Sequence, residues 1–388
     1  MKIVNVQTYI VANPPPSRVG ANWLFVKLTT DNGIEGIAEP VRGGFNNMDT
    51  AKLIETNADR LIIDADPFQI ETLYRRMYGV GGAQSPMSIL SAFEIACWDI
   101  IGKALGQPIY NLLGGMYHEK IRSYSYLNPA STESSQGEAM KLHSDPIRAA
   151  ERAVDYMKMG FTAVKFDPCP PAIVPAPYQL SLETLENAEA VVRNVREAVG
   201  DKCEIILGTH AQMTTSSAIR LARRLEKYDP LWFEEPTRPE NKDEMARVAH
   251  HTTIPVATGE SLSTKDEFRD LLQSQSASIL QFTLGHVGGL LEGKKIAGMA
   301  EAYYAQIAPH HFAGPVAVMA NVQLDVCSPN FLITECNIPL ERSDGFHAEI
   351  LKKPIQWEEG YIIPPTEPGL GIELNMEVVN KHLIYKSS

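Results

Sequence analysis

The chain of 388 residues is poor in cysteine, short of positive charge and without long apolar runs. Its five cysteines, Cys97, Cys169, Cys203, Cys327 and Cys336, are odd in number and scattered, with no C-x-x-C spacing. That argues against a disulfide framework or a cysteine zinc site and makes a reducing, cytoplasmic compartment the expectation. No apolar run approaches the ~20 residues of a membrane span. Met1 to Ile10 is apolar in alternation and then meets Asn13-Pro14-Pro15-Pro16, which reads as a first strand and a loop, not a signal peptide. Lys and Arg number 35 against 47 Asp and Glu, a formal net charge of -12. That balance argues against nucleic acid and acidic membrane surfaces as partners. A small anionic substrate remains open, because a metal ion and lysines can invert a local field.

What is present is organised in two styles. Residues 1 to about 40 read as a β-meander, with an Asp31-Asn32-Gly33 turn before Ile34–Glu39. Residues from about 50 to 113 read as helices, Ser88–Leu105 most clearly, stopped by Gly106-Gln107-Pro108. Strands followed by helices suggest an α+β domain over 1–120. From Ile121 strands and helices alternate to about 350, and the turn-rich segment 351–388 is expected to return to the first domain. Leu185–Gly200 is a clear helix with Ala188, Val191, Val192, Val195 and Val199 on one stripe. Asn128–Ser144 and Pro168–Tyr178 are read as loops, the second either covering a site or an ordinary surface insertion.

The alternating region carries a recurrent signal. Leu231-Trp232-Phe233 ends abruptly in Glu234-Glu235-Pro236. Other apolar runs end in Lys165, in Gly208-Thr209-His210, in Gly259-Glu260, in Thr283, in His310 and in Glu335. Their spacing of roughly 25 to 45 residues is that of a parallel β/α barrel, whose catalytic face is the C-terminal end of its strands. Glu234 and Glu260 suit a hard cation such as Mg²⁺, or are simply acids paired with lysines. Lys165 either holds a substrate carboxylate or acts as a base. His210 and His310 suit proton transfer if they converge, and are otherwise structural histidines. Of His310 and His311, at most one is expected to face the site.

These residues resemble the enolase superfamily, in the mandelate racemase/muconate lactonizing enzyme group. The resemblance runs through Gly33-Ile34-Glu35-Gly36-Ile37-Ala38-Glu39, through Ala92–Pro108, through Leu112-Leu113-Gly114-Gly115 and through Phe233-Glu234-Glu235-Pro236. It continues through Gly259-Glu260, Ala308-Pro309-His310 and Pro368-Gly369-Leu370-Gly371. It implies a (β/α)7β TIM-type barrel under an α+β capping domain, and a homo-oligomer. It implies Glu234 and Glu260 as Mg²⁺ ligands, His310 as the base, His210 as a general acid, and Lys165, Asp167 and Glu335 around the substrate. Lys165-Phe166-Asp167-Pro168 is similar to the sugar-acid dehydratases.

The implied function is a Mg²⁺-dependent lyase that dehydrates an aldonic or related sugar acid to a 2-keto-3-deoxy acid through an enediolate. The alternatives are a racemase or cycloisomerase, or a non-catalytic sugar-acid-binding homologue. Three departures bear on this. Gly208 stands where the family's first metal ligand is an acid, Thr283 where an Asp pairs with the histidine base, and Gln212 where an Arg often follows the general acid. Glycine at 208 is expected to leave room for a water, so that Gly208→Asp would tighten Mg²⁺ binding.

Overall fold

The computed structural model describes residues 1–15, 17–41, 46–79, 87–129, 136–169, 177–342 and 344–387, with only the backbone at 136 and 137. The chain opens with β1 (Ile3–Ala12), β2 (Asn22–Thr30) and β3 (Glu35–Ala38), an antiparallel sheet. Three helices follow, Asn47–Leu61, Ile70–Tyr78 and Met87–Leu105. Met87–Leu105 is apolar almost all round because it is buried on nearly every side. Where β3 meets it, a Cβ on Gly36 would fall 2.7 Å from Ile100 Cγ1.

Seven parallel strands come next: β4 (Ile121–Tyr126), β5 (Ala163–Phe166), β6 (Glu204–Leu207), β7 (Trp232–Glu234), β8 (Val256–Thr258), β9 (Ile279–Leu280) and β10 (Gln306–Ile307). Each pairs in parallel with the next. Ile307 bridges Phe331, and β11 (Thr334–Glu335) pairs with β4, so the segment 331–335 joins the last strand to the first. Between successive strands lie the helices Pro146–Met159, Leu182–Val199, Thr215–Leu225, Lys242–Ala249, Lys265–Gln273, Leu290–Ala302 and Pro315–Val326. This is the expected β/α barrel. Later, β12 (Trp357–Glu358) and β13 (Tyr361–Ile362) form a hairpin whose second strand pairs antiparallel with the start of β4. Only at its end does the chain return to the first sheet, where β14 (Leu383–Lys386) pairs with β1.

The period of two along a strand sorts the side chains. Tyr124, Ala163, Ile206, Trp232, Ala257, Ile279, Ala308 and Ile333, one from each strand position of the ring, pack together as an apolar floor. Their neighbours Val164, Ile205 and Phe233 point outward against the helices, as do Val256, Leu280 and Ile307 on the other side. Two residues beyond the floor, on the same inward face, come Tyr126, Lys165, Gly208, Glu234, Gln281, His310 and Glu335. The register that builds the core therefore also gathers the polar residues.

The barrel helices start in two ways. Five use their own N-cap side chain: Asp145, Ser181, Thr214, Asn241 and Thr264, the last in a capping box. The last two begin at Gly289 and Gly314, which offer none. Their N–H groups are taken by acids of the N-terminal layer. Glu94 accepts from Leu290 (2.7 Å) and Leu291 (2.9 Å). Glu39 accepts from Gly314 (2.5 Å), Val316 (3.1 Å) and Ala317 (3.2 Å). Glycine is needed at both caps: a Cβ on Gly314 would lie 2.7 Å from Glu39 Oε1, and one on Gly289 would overlap the Glu94 carboxylate. Burial raises both carboxyls, against the pull of these N–H groups, to about 7 for Glu39 and about 8 for Glu94.

One segment departs from the sequence reading. Gln136–Ser144, within the stretch read as a loop, is a helix. Its composition is polar, and the residues that anchor it, Leu142 and His143, are too few to make a visible stripe. Residues 130–135 of that stretch, 170–176 of Pro168–Tyr178 and 42–45 lie outside the described residues. Among the described residues no helix is long and apolar enough to cross a membrane.

Candidate active site

Lys165 lies at the centre of the polar layer and is almost wholly buried. Its ammonium donates to Glu234 Oε1 and lies 3.4 Å from Glu335 Oε1. The rings of Tyr126 and Tyr124 flank it, at 4.8 and 5.9 Å. Burial works against the charged form, but Glu234 and Glu335 outweigh it and hold Lys165 well above the usual lysine range. The same pairing acts in reverse on Glu335. Burial alone would raise its carboxyl, but Lys165, His310 and the His311 N–H, which donates to Oε2 at 3.0 Å, pull it down.

Glu234 is held on both oxygens. Besides Lys165 on Oε1, Gln281 Nε2 (2.7 Å) and Trp232 Nε1 (3.0 Å) donate to Oε2. Glu260 is partly exposed and lies 3.5 Å from His310 Nε2. His310 faces the site through that nitrogen, which is also 3.8 Å from Glu335. Its Nδ1 is 2.8 Å from Thr283 Oγ1. Thr283 therefore orients the ring but brings no charge; the carboxylates of Glu260 and Glu335 stand on the other side of the ring. His311 points away and is buried, with Nε2 on the Gly314 carbonyl (3.2 Å), and burial lowers it to about 4.

His210 sits at the rim, 44 % of its side chain exposed, with Nδ1 3.5 Å from Asp167 Oδ2. It has a left-handed backbone (φ 50°), as do Ala211 (φ 58°) and Glu235 (φ 43°). These strained residues are tied together. The Ala211 N–H donates to the Glu235 carbonyl at 2.8 Å, and Thr209 Oγ1 donates to the carbonyls of Glu234 and Glu235. Non-glycine residues in this region cost about 1–3 kcal/mol each and collect where a site needs its backbone re-aimed.

Three residues of the site have no role assigned from the sequence, although Glu235 lies in the Phe233-Glu234-Glu235-Pro236 motif. Tyr126 donates to Asp167 Oδ1 at 3.3 Å. His143 stacks on the Tyr126 ring, centroids 6.0 Å apart, and its Nδ1 accepts from the Asp167 N–H at 3.4 Å. The proton of His143 is then on Nε2, donated to the Leu127 carbonyl at 2.7 Å. Glu235 accepts from Thr258 Oγ1 at 2.7 Å, and burial beside Glu260 raises it to about 8.

The space at Gly208 is not open. A Cβ there would fall well inside 3.0 Å of Asp167 Oδ1 and 2.7 Å from Tyr126 Oη. This corrects the expectation that glycine leaves room for a water: the neighbouring strand has put its own carboxylate there.

A family model described as "Enolase C-terminal domain-like" matches residues 148–378, and one for the mandelate racemase/muconate lactonizing enzyme N-terminal domain matches 6–114. The chain belongs to the mandelate racemase/muconate lactonizing enzyme family of the enolase superfamily. It is 34 % identical to a D-galactonate dehydratase of Ralstonia pickettii, over 98 % of this chain and 94 % of that one. A solved structure from Burkholderia SAR-1, assigned to the same family, is 53 % identical with a TM-score of 0.92, over 98 % and 94 % of the two chains. A mandelate racemase/muconate lactonizing enzyme-like protein from Roseovarius sp. TM1035 is 40 % identical, also at 0.92, over 99 % and 96 %. The barrel and its N-terminal layer are thus the family's barrel and capping domain.

Members of this family typically use Mg²⁺, an ion that requires near-octahedral oxygen ligands. The residues present do not fit it. Among the described residues no three His, Cys, Asp or Glu side chains converge to hold a metal ion. Glu234 has N–H donors on both oxygens, Glu260 stands against His310, and the position at 208 has no side chain.

Proposed function

We propose that this protein dehydrates a sugar acid, taking an aldonic or closely related acid to its 2-keto-3-deoxy acid. The observation that carries the reading is the placement of two histidines, each beside a carboxylate, around one buried ammonium. The dehydratase relatives support the substrate class.

An α-proton next to a carboxylate is very weakly acidic, so its removal needs a base and a fixed positive charge nearby. His310 Nε2 takes the proton. The C–H electron pair becomes the enolate, whose negative charge develops against Lys165. Glu260 and Glu335 stabilise the imidazolium that forms. The enolate then expels the β-hydroxyl as the C–O bond breaks, and His210, oriented by Asp167, supplies the proton with which it leaves as water. The enol left behind takes a proton on the former hydroxyl carbon and gives up its O–H proton, which leaves the 2-keto acid.

The test is a panel of aldonic acids, including D-galactonate and D-gluconate, scored for 2-keto acid and for exchange of the α-proton with deuterated water. Keto acid from at least one member is the expected result. Exchange without keto acid would replace the reading by racemisation. Binding with neither would replace it by a non-catalytic role.

A further inference from the structure

The acids of the site already face basic side chains of the chain, of which Lys165 is the fixed charge. His210 stands against Asp167, Lys165 against Glu234 and Glu335, and His310 against Glu335 and Glu260. Glu234 is the most committed. An ionised carboxylate has about four lone-pair sites, and three of those on Glu234 face the N–H donors of Lys165, Trp232 and Gln281. A divalent ion on Glu234 would have to displace the ammonium or share its carboxylate at close range with a like charge.

The substitution at 208 fits the same pattern. A site with one acid fewer suits a cation of one charge better than a cation of two. An ammonium also needs no octahedral ligand shell: of its three N–H donors, two suffice for the carboxylates of Glu234 and Glu335 on separate strands. Lys165 reaches both carboxylates because it comes from β5, with Glu234 on β7 and Glu335 on β11. The volume over Gly208, where an acid ligand would enter, holds Asp167 and the Tyr126 hydroxyl instead.

We propose that the resident cation of this site is the Lys165 ammonium, held between Glu234 and Glu335, and that the protein has no divalent-metal site there. The proposal rests on the dehydratase reading only for its consequence, that turnover needs no added metal. Lys165 takes no part in bond making; it stays charged throughout and supplies the field that a metal would supply.

The experiment uses the full chain, stripped with EDTA and dialysed. Mn²⁺ binding is followed by electron paramagnetic resonance, and Mg²⁺ binding by calorimetry, each with and without D-galactonate. The wild type is expected to bind neither ion stoichiometrically in the sub-millimolar range, and to keep its turnover on the best panel substrate in EDTA. Lys165→Met, which frees Glu234 and Glu335, is expected to gain a Mn²⁺ site while losing turnover by at least 100-fold, the order of one lost acid-base or electrostatic group. Stoichiometric Mn²⁺ or Mg²⁺ binding by the wild type that Glu234→Gln abolishes would overturn the proposal. So would a folded Lys165→Met that binds no Mn²⁺. If that variant does not fold, the wild-type titration decides alone. Ion binding is scored without turnover, so an inactive panel would sink the dehydratase reading and leave this result legible.

Discussion

Gly208→Ala is the sharpest probe of the site. The added methyl would enter space held by Asp167 Oδ1 and by the Tyr126 hydroxyl, and would touch Lys165 Cε at 3.3 Å. All three are ends of side chains, so the backbone can hold while they give way. Inserting a methyl into packed space costs about 1–3 kcal/mol. For a chain of 388 residues the unfolding entropy is roughly 0.8 kcal/mol/K, so the melting temperature should fall by about 1–4 °C. The functional effect should exceed the thermal one, because the displaced carboxylate is the partner of His210; a fall in kcat of about tenfold or more is expected. The assay is a double-mutant cycle with Asp167→Ala, read by thermal unfolding and by turnover. Removing the carboxylate clears most of the space, so Gly208→Ala should cost much less in that background, with a coupling of about 0.5–3 kcal/mol. Strict additivity, or a neutral Gly208→Ala, would refute the packing argument. Gly208→Asp should be worse than Ala, since it sets a second carboxylate against the first.

Other outcomes can be checked separately. His310→Asn should lower turnover at least 100-fold with the fold intact, and Thr283→Val should lower it about tenfold by freeing the ring's Nδ1; circular dichroism and steady-state kinetics read both. Glu335 has its carboxyl lowered from 4.5 in the free group to about 2 in the fold. Its stabilisation is therefore complete above pH 4.5 and lost as pH falls through 2, and the stability gap between wild type and Glu335→Gln should shrink over that window in acid unfolding curves. Glu94→Gln would turn an NH₂ toward one of three N–H donors, Leu290, Leu291 or Trp98. One orphaned donor costs about 1–3 kcal/mol, which calorimetry should show as a lower melting temperature without loss of catalytic pH dependence.

Residues that break a hydrophobic run were legible in the sequence. Lys165, Glu234, His310 and Glu335 each follow buried apolar residues on a strand, and a polar group there has to face either the barrel mouth or a partner. Residues that act through ordinary packing types were not. Tyr126, Trp232 and Gln281 look like core or neutral polar residues until the ring brings them against Asp167 and Glu234. The filling of the space at Gly208 was hidden for another reason: Asp167 directly follows the adjacent strand β5, 41 residues away in sequence, and no local pattern connects the two. The helix Gln136–Ser144 was missed because a helix held by two buried residues has almost no periodicity to read.

The two glycine-started helices have a consequence for biosynthesis. Glu39 and Glu94 belong to the first quarter of the chain, yet the backbone groups that satisfy them arrive 275 and 196 residues later. At roughly 5–20 residues per second, a nascent chain would wait about 14–55 s between making Glu39 and making its last partners. During that interval the capping sheet also lacks β14, its edge strand, which is synthesised only after every strand of the barrel. The N-terminal half therefore leaves the ribosome with two carboxylates meant for burial still in water and one sheet edge bare, and it can mature only when the end of the barrel closes over it.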